Sequence, residues 1–267
     1  MTDVINGIDV SHHQGNIDFA KVKAAGYDFV MIRCGGCGHP TAGTYKDSKF
    51  EVNYTKALAA GLHIGVYVFD YSTTVAGAIQ AADWILKCIE GKKIDYPIAY
   101  DIEYEAYNIN PNAPWSDMAI AACGRLEQAG YYAMLYTNPD WLSNKYDYNR
   151  VKRFDVWLAN YSKPFGKKRN TKYSHGIWQY CALGSAADVK ASPNNVMLGA
   201  VSGCATACDV NYCYRDYADI IKKIGLNHPV KSYTVSAIKS GLTQAQATTL
   251  SAQLKALGVS ISMQEDK

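Results

Sequence analysis

The stretch Tyr96-Pro97-Ile98-Ala99-Tyr100-Asp101-Ile102-Glu103 decides how this chain is read. Its apolar residues form a strand-like run that ends in two carboxylates spaced i, i+2. Side chains two apart on a strand project to the same face, so Asp101 and Glu103 stand side by side. Two acids on one buried face raise each other's pKa, an unfavourable arrangement unless chemistry uses it. A second apolar run, Gly7-Ile8-Asp9-Val10, also ends in an acid and leads into Ser11-His12-His13-Gln14-Gly15. A further acid, Asp209, lies in Cys208-Asp209-Val210-Asn211. Acids gathered at the ends of several strands are how a barrel builds a catalytic floor.

Outward from these runs, eight short apolar segments read as strands: 7–10, 29–33, 64–69, 98–101, 132–137, 156–160, 176–180 and 208–212. Helix-like segments separate the early ones. Residues 17–26 carry Asp18 near the start and a glycine stop, and 50–61 again end in glycine. In 75–89, Ile79, Ala82, Ile85, Leu86 and Ile89 fall on one side, and 116–130 opens on Ser116 as a cap. Alternating strands and helices predict a parallel sheet with right-handed crossovers, and eight strands predict closure. Helical segments thin out after Thr137. The expected fold is therefore α/β: an eight-stranded β/α barrel with an incomplete helical coat.

The barrel is expected over residues 1–224, with a Pro-containing linker at 225–231 and a small β-α-β module at 232–267. In that module 232–238 reads as a strand, and Thr243 with Gln246 has the spacing of a capping box. Ala247, Leu250, Leu254 and Leu257 form one apolar stripe, and Val259, Ile261 and Met263 alternate as a second strand. A unit of this size buries too little surface to be stable alone, so it is expected to pack on the barrel or to pair with another copy, and the Pro-containing linker and uncovered apolar helix face favour pairing.

Composition sets the outer bounds. The 267 residues are 48% hydrophobic and 19% charged, with a net charge of +3, which describes an ordinary globular chain and gives no footprint for nucleic acid. No apolar run approaches the roughly 20 residues of a membrane span. The first residues lack a basic and then apolar leader, so if the protein acts outside the cell that makes it, something else is expected to release it. Twenty-one tyrosines suit a groove that stacks on sugar rings and hydrogen-bonds them, and equally a large aromatic core. The eight cysteines read as free thiols; Cys34-Gly-Gly-Cys37 alone has metal or redox spacing, and no metal or cofactor is expected.

Glycosidic cleavage needs a proton donor for the leaving oxygen and a negative group facing an oxocarbenium-like centre. Glu103 suits the donor, its pKa raised by neighbouring carboxylates, while Asp101 is expected to remain ionised beside it. Asp9 and Asp209 reach the same mouth if the sheet closes. A lone strand-end aspartate is usually a loop or helix cap; four acids on three strands are not.

These residues resemble a known family. Residues 7–15, Asp28–Arg33, Gly65–Phe69, Tyr96–Glu103 and Asp209-Val210-Asn211 are together similar to the family 25 glycoside hydrolases, the Chalaropsis-type lysozymes. The resemblance spans about residues 5–222. It implies an N-acetylmuramidase that hydrolyses the β-1,4 bond between N-acetylmuramic acid and N-acetylglucosamine in peptidoglycan, in a phage endolysin or bacterial autolysin. It also implies a barrel with about five helices, Glu103 as the acid, and Asp101, Asp9 and Asp209 as catalytic or supporting carboxylates. Where the family often has Tyr-His-Phe, this chain has Tyr67-Val68-Phe69, so a histidine role is absent there.

At or beyond strand ends, Tyr67, Tyr71, Tyr136, Asn138, Tyr161, Trp178 and Gln179 are the candidates for gripping the glycan. Trp84, Trp115, Trp141 and Trp157 read as packing, His12 and His13 as loop-positioning groups, and Asp70 as a loop cap. Two competing readings are a barrel that binds glycan without cleaving it, which the presence of Glu103 disfavours, and a zinc amidase, which six scattered histidines disfavour.

Overall fold

Each of the eight predicted runs is a strand. In the computed structural model, which describes residues 4–161, 172–181, 201–227 and 243–256, they are β1 (Ile5–Val10), β2 (Phe29–His39), β4 (His63–Asp70), β5 (Ile98–Ile102), β6 (Ala133–Thr137), β7 (Asp155–Ala159), β8 (Ile177–Cys181) and β9 (Asp209–Cys213). The sheet order is β1-β9-β8-β7-β6-β5-β4-β2, and β1 pairs with β2 to close the barrel. A ninth strand, β3 (Gly43–Lys46), folds back antiparallel on the extended outer half of β2. That half contains Cys34-Gly-Gly-Cys37, so this sequence is strand.

The parallel expectation holds for β1, β2, β4, β5, β6, β7 and β8 and fails at β9, which runs antiparallel to both β1 and β8. An antiparallel strand presents its first residue where its parallel neighbours present their last. Asp209 therefore opens β9 at the same mouth where Asp9 nears the end of β1, and the two are register partners.

Period-2 alternation divides the side chains into two layers. Phe29, Met31, Tyr67, Ala99, Met134, Tyr136, Trp157, Ile177 and Cys213 fill the barrel interior. Val30, Ile32, Val66, Val68, Ile98, Tyr100, Leu135 and Leu158 face the helical coat. Gly7 shows how tight the interior is: a Cβ there would lie 2.2 Å from the Phe29 ring.

The coat differs from the expected five helices. The first unit, Met1–Val230, has eight among the described residues: α1 (Phe19–Ala24), α2 (Phe50–Ala59), α3 (Val75–Cys88), α4 (Tyr104–Ile109), α5 (Trp115–Gln128), α6 (Pro139–Asn144), α7 (Tyr148–Val151) and α8 (Tyr217–Ile224). The additional ones are mostly one or two turns long, too short for a periodic pattern to reveal. Thus α6 and α7 join β6 to β7, in the region after Thr137 where the helical segments thin out in the sequence. On α3 the buried face is Ala78, Ala81, Ala82 and Ile85, while Ile79 is exposed, because small residues allow close packing against α5. Ser116 does not cap α5: the cap position is Pro114, and Ser116 Oγ accepts from the Asp147 amide at 2.8 Å.

Within the stretch expected as linker, Asn227 is 3% exposed, its side chain accepting from the Tyr132 amide and donating to the Tyr96 carbonyl, each at 2.7 Å. The second unit, Lys231–Lys267, contains α9 (Gln244–Ala256), whose start has the expected reciprocal bonds: Thr243 N donates to Gln246 Oε1 at 3.0 Å and Gln246 N to Thr243 Oγ1 at 3.4 Å. The strands expected at 232–238 and 259–263 lie outside the described residues, as do Leu257 and the side chain of Leu254.

Candidate active site

The site lies at the mouth formed by the ends of β1 and β5 and the start of β9. Asp101 is 3% exposed and points inward two residues beyond Ala99. Glu103 lies just past β5, at the position before α4, in extended backbone (φ −133°, ψ −166°). It makes no capping bond to that helix. Extended geometry across 101–103 keeps both carboxyls on one side, and they hydrogen-bond to each other.

Burial, followed by the charges of Glu105 and Asp209, pushes Glu103 up to about 7, against the lowering effect of its bond to Asp101. Asp101 is also raised well above the carboxylate range, by burial first and then by the charge of Glu103; Arg33 opposes the shift. The expected division, with Asp101 simply ionised, therefore does not describe this pair. Each carboxyl shifts the other, so their titration belongs to the pair.

A second pair stands beside the first. Asp9, 4% exposed, hydrogen-bonds to Asp209 and is raised by burial and then by the Asp209 charge. Two amides fix it: Asn211 Nδ2 donates to Asp9 Oδ2 at 2.8 Å and Gln179 Nε2 donates to the same oxygen at 2.9 Å. Asn211 is itself held by Trp157, whose Nε1 donates to Asn211 Oδ1 at 2.7 Å. Gln179 Oε1 accepts from Tyr136 Oη at 2.8 Å and from Tyr161 Oη at 2.6 Å. Tyr161 is 47% exposed and carries this network to the rim.

Of the glycan-contact candidates, Tyr67, Tyr136, Tyr161 and Gln179 gather around the acids. Trp178 does not. Alternation turns it to the outside when Gln179 points in, and its ring packs on Tyr180 and Tyr212 while Nε1 donates to the Asn160 carbonyl. Asn138 caps α6, accepting from the Trp141 amide at 3.0 Å. Tyr71 joins His39 and Phe69 in an aromatic cluster at the end of the β2–β3 hairpin. Asp70 is a cap: it accepts from the Ser72 amide at 2.9 Å and from Tyr100 Oη at 2.7 Å, on the coat side.

Sequence reasoning missed three contributors. Asn211 stands i+2 from Asp209, the same spacing that singled out Asp101 and Glu103, and that signal was available. Trp157, read as packing, orients Asn211. Arg33, 7% exposed, continues the inward series Phe29, Met31 and pairs with Asp47 at 2.9 Å. Asp47 also accepts from the His12 amide at 3.1 Å, which fixes the loop after β1.

A β/α barrel with two hydrogen-bonded carboxyl pairs at its mouth is built like a carboxyl-based hydrolase. The chain belongs to the glycosyl hydrolases family 25, whose sequence profile matches residues 8–189. It is 43% identical over 81 residues to lysozyme M1 of Streptomyces globisporus (30% of this chain, 26% of that protein). It is 31% identical over 154 residues to the N,O-diacetylmuramidase of Chalaropsis sp (52% of this chain, 69% of that protein). It spans about half, 54%, of the autolytic lysozyme of Clostridium acetobutylicum, at 28% identity over 70% of this chain. The catalytic domain of an endolysin from a bacteriophage of Listeria monocytogenes superposes with a TM-score of 0.62 at 19% identity, covering 83% of this chain and 98% of that one.

Proposed function

We propose that this chain is an N-acetylmuramidase that cleaves the β-1,4 bond between N-acetylmuramic acid and N-acetylglucosamine in peptidoglycan. The observation that carries the reading is the Asp101–Glu103 pair, a buried carboxyl couple whose outer member is raised to about 7 and so retains a proton near neutrality. Glu103 donates that proton to the glycosidic oxygen as the bond breaks. Burial sets its proton affinity, and the bond to Asp101 moderates it. The Asp9–Asp209 pair, in which Gln179 and Asn211 hold Asp9, supplies negative charge to the oxocarbenium-like centre. Tyr67, Tyr136 and Tyr161 offer ring faces and hydroxyls for the sugar beside it. Family membership and the names of the relatives support the substrate class.

Two measurements test this. Glu103→Gln should lose wall lysis, by roughly 10²–10⁴-fold, with an unchanged circular dichroism spectrum; near-normal clearing of a cell-wall suspension removes Glu103 from the donor role. Mass spectrometry of digested peptidoglycan should find new reducing ends on N-acetylmuramic acid. Reducing ends on N-acetylglucosamine, or freed peptide stems, contradict the muramidase assignment. The second unit we read as a self-association or wall-binding module.

A further inference from the structure

Cys204 and Cys208 lie immediately before Asp209, and neither has a part in the chemistry above. Their sulfurs are 2.7 Å apart, closer than non-bonded heavy atoms pack (roughly 3.5–4 Å). The turn that carries Cys204 is anchored: its amide donates to the Val201 carbonyl at 3.0 Å, Cys204 bridges to Ile17, and Asp18 N donates to the Gly203 carbonyl at 2.8 Å. Cys208 is fully buried and opens directly into β9, which is locked to β1. A bond between the two sulfurs would tie the anchored turn to the start of the strand that presents Asp209.

The two thiols are unequal in access. Cys204 is partly exposed and lines a surface cavity of about 770 Å³ between α1, α2 and residues 203–205, with Lys21 and Lys56 on its wall. Lys21 pairs with Asp18 on the same wall at 3.5 Å, so it is the Lys56 ammonium that suits an anionic disulfide. The Cys208 thiol donates to Cys204 Sγ, which lowers the Cys204 pKa and raises that of Cys208. The exposed sulfur is thus the nucleophile and the buried one the resolving thiol.

We propose that Cys204 and Cys208 are a redox-active pair that closes into a disulfide by exchange with a small anionic disulfide such as oxidised glutathione, stapling the start of the Asp209 strand. The Cys204 thiolate attacks one glutathione sulfur, forming a mixed disulfide and releasing glutathione thiolate, which takes a proton from water. Cys208 then gives up its proton, and its sulfur displaces the second glutathione from Cys204. Two protein thiols are oxidised and one glutathione disulfide is reduced to two thiols. Cys34 is fully buried and Cys37, Cys88, Cys123 and Cys213 are buried as well, so the exchange is selective among the described thiols.

The test uses the full chain equilibrated with oxidised glutathione, quenched with acid, and alkylated after unfolding. Of eight thiols, six should remain alkylatable. Cleavage before Asp209 separates Cys213 from the pair, and the fragment ending at Cys208 should have lost two hydrogens. Cys208→Ser should stop at the mixed disulfide, carrying one glutathione, and Cys204→Ser should carry none on the pair. Amide hydrogen exchange across residues 205–211 should slow in the oxidised chain and return to its original rate on reduction. Eight free thiols, a stable glutathione adduct on the unmutated chain, a link to any other cysteine, or unchanged exchange across 205–211 would each overturn the proposal.

Discussion

Gln179 Nε2 donates to Asp9 Oδ2 at 2.9 Å, joining residues 170 positions apart in the chain. The bond crosses the mouth from β8 to β1 and, with Asn211, leaves that carboxyl oxygen doubly held. Both donors are buried, so neither is replaced by water when removed.

Gln179→Leu should therefore reduce kcat/KM for peptidoglycan by roughly 10–100-fold, the worth of one hydrogen bond to a charged group. Gln179→Glu should not restore it, because it adds a like charge beside Asp9. Steady-state release of reducing ends measures both.

The pH profile follows from Glu103. A donor raised to about 7 is active while protonated, so the alkaline limb of kcat/KM should fall through about that pH. Glu105, exposed in the first turn of α4, is the largest charge raising Glu103. Glu105→Gln should move the limb to lower pH without abolishing activity; a limb that stays in place would remove Glu105 from the control of Glu103.

Asp101→Asn should inactivate the enzyme and stabilise it. The folded-state pKa of Asp101 is raised, so the folded chain binds its proton more tightly than the unfolded chain does. That contribution is fully present below the unfolded carboxylate pKa, about 3.9, and is lost as pH rises from there to the folded value. Melting curves of the variant and the unmutated chain should nearly coincide near pH 4 and separate toward neutrality, the variant melting higher.

Gly176→Ala tests the floor of the barrel. An added Cβ would meet Tyr217 Oη at 1.6 Å. That hydroxyl donates to Asp155, which also pairs with Arg215 at 3.0 Å. Forcing the ring aside should cost about 2–4 kcal/mol and lower Tm by roughly 5–15 °C, read by calorimetry.

The self-association reading of the second unit predicts that a chain ending at Val230 scatters as a smaller oligomer than the full chain. Light scattering that gives both the same oligomeric state would remove that role.

Period and terminal chemistry were enough to determine much of this protein. Eight strand cores, the acids at their ends and the capping box at Thr243 depend on near neighbours, and a two-residue repeat fixes which side chains share a face. Short helices such as α6 and α7 left no periodic signal, and the pairing of β3 on β2 depends on a turn rather than a pattern. Only the tertiary structure decided that β9 runs antiparallel, which places Asp209 opposite Asp9. It also turned Trp178 away from the site, gave Asn138 to a helix, and recruited Trp157, Asn211 and Arg33. The upward shift of the Asp101 pKa was decided at the same level. A pKa is set by burial and by charges on every strand around the mouth, and local sequence does not contain those distances.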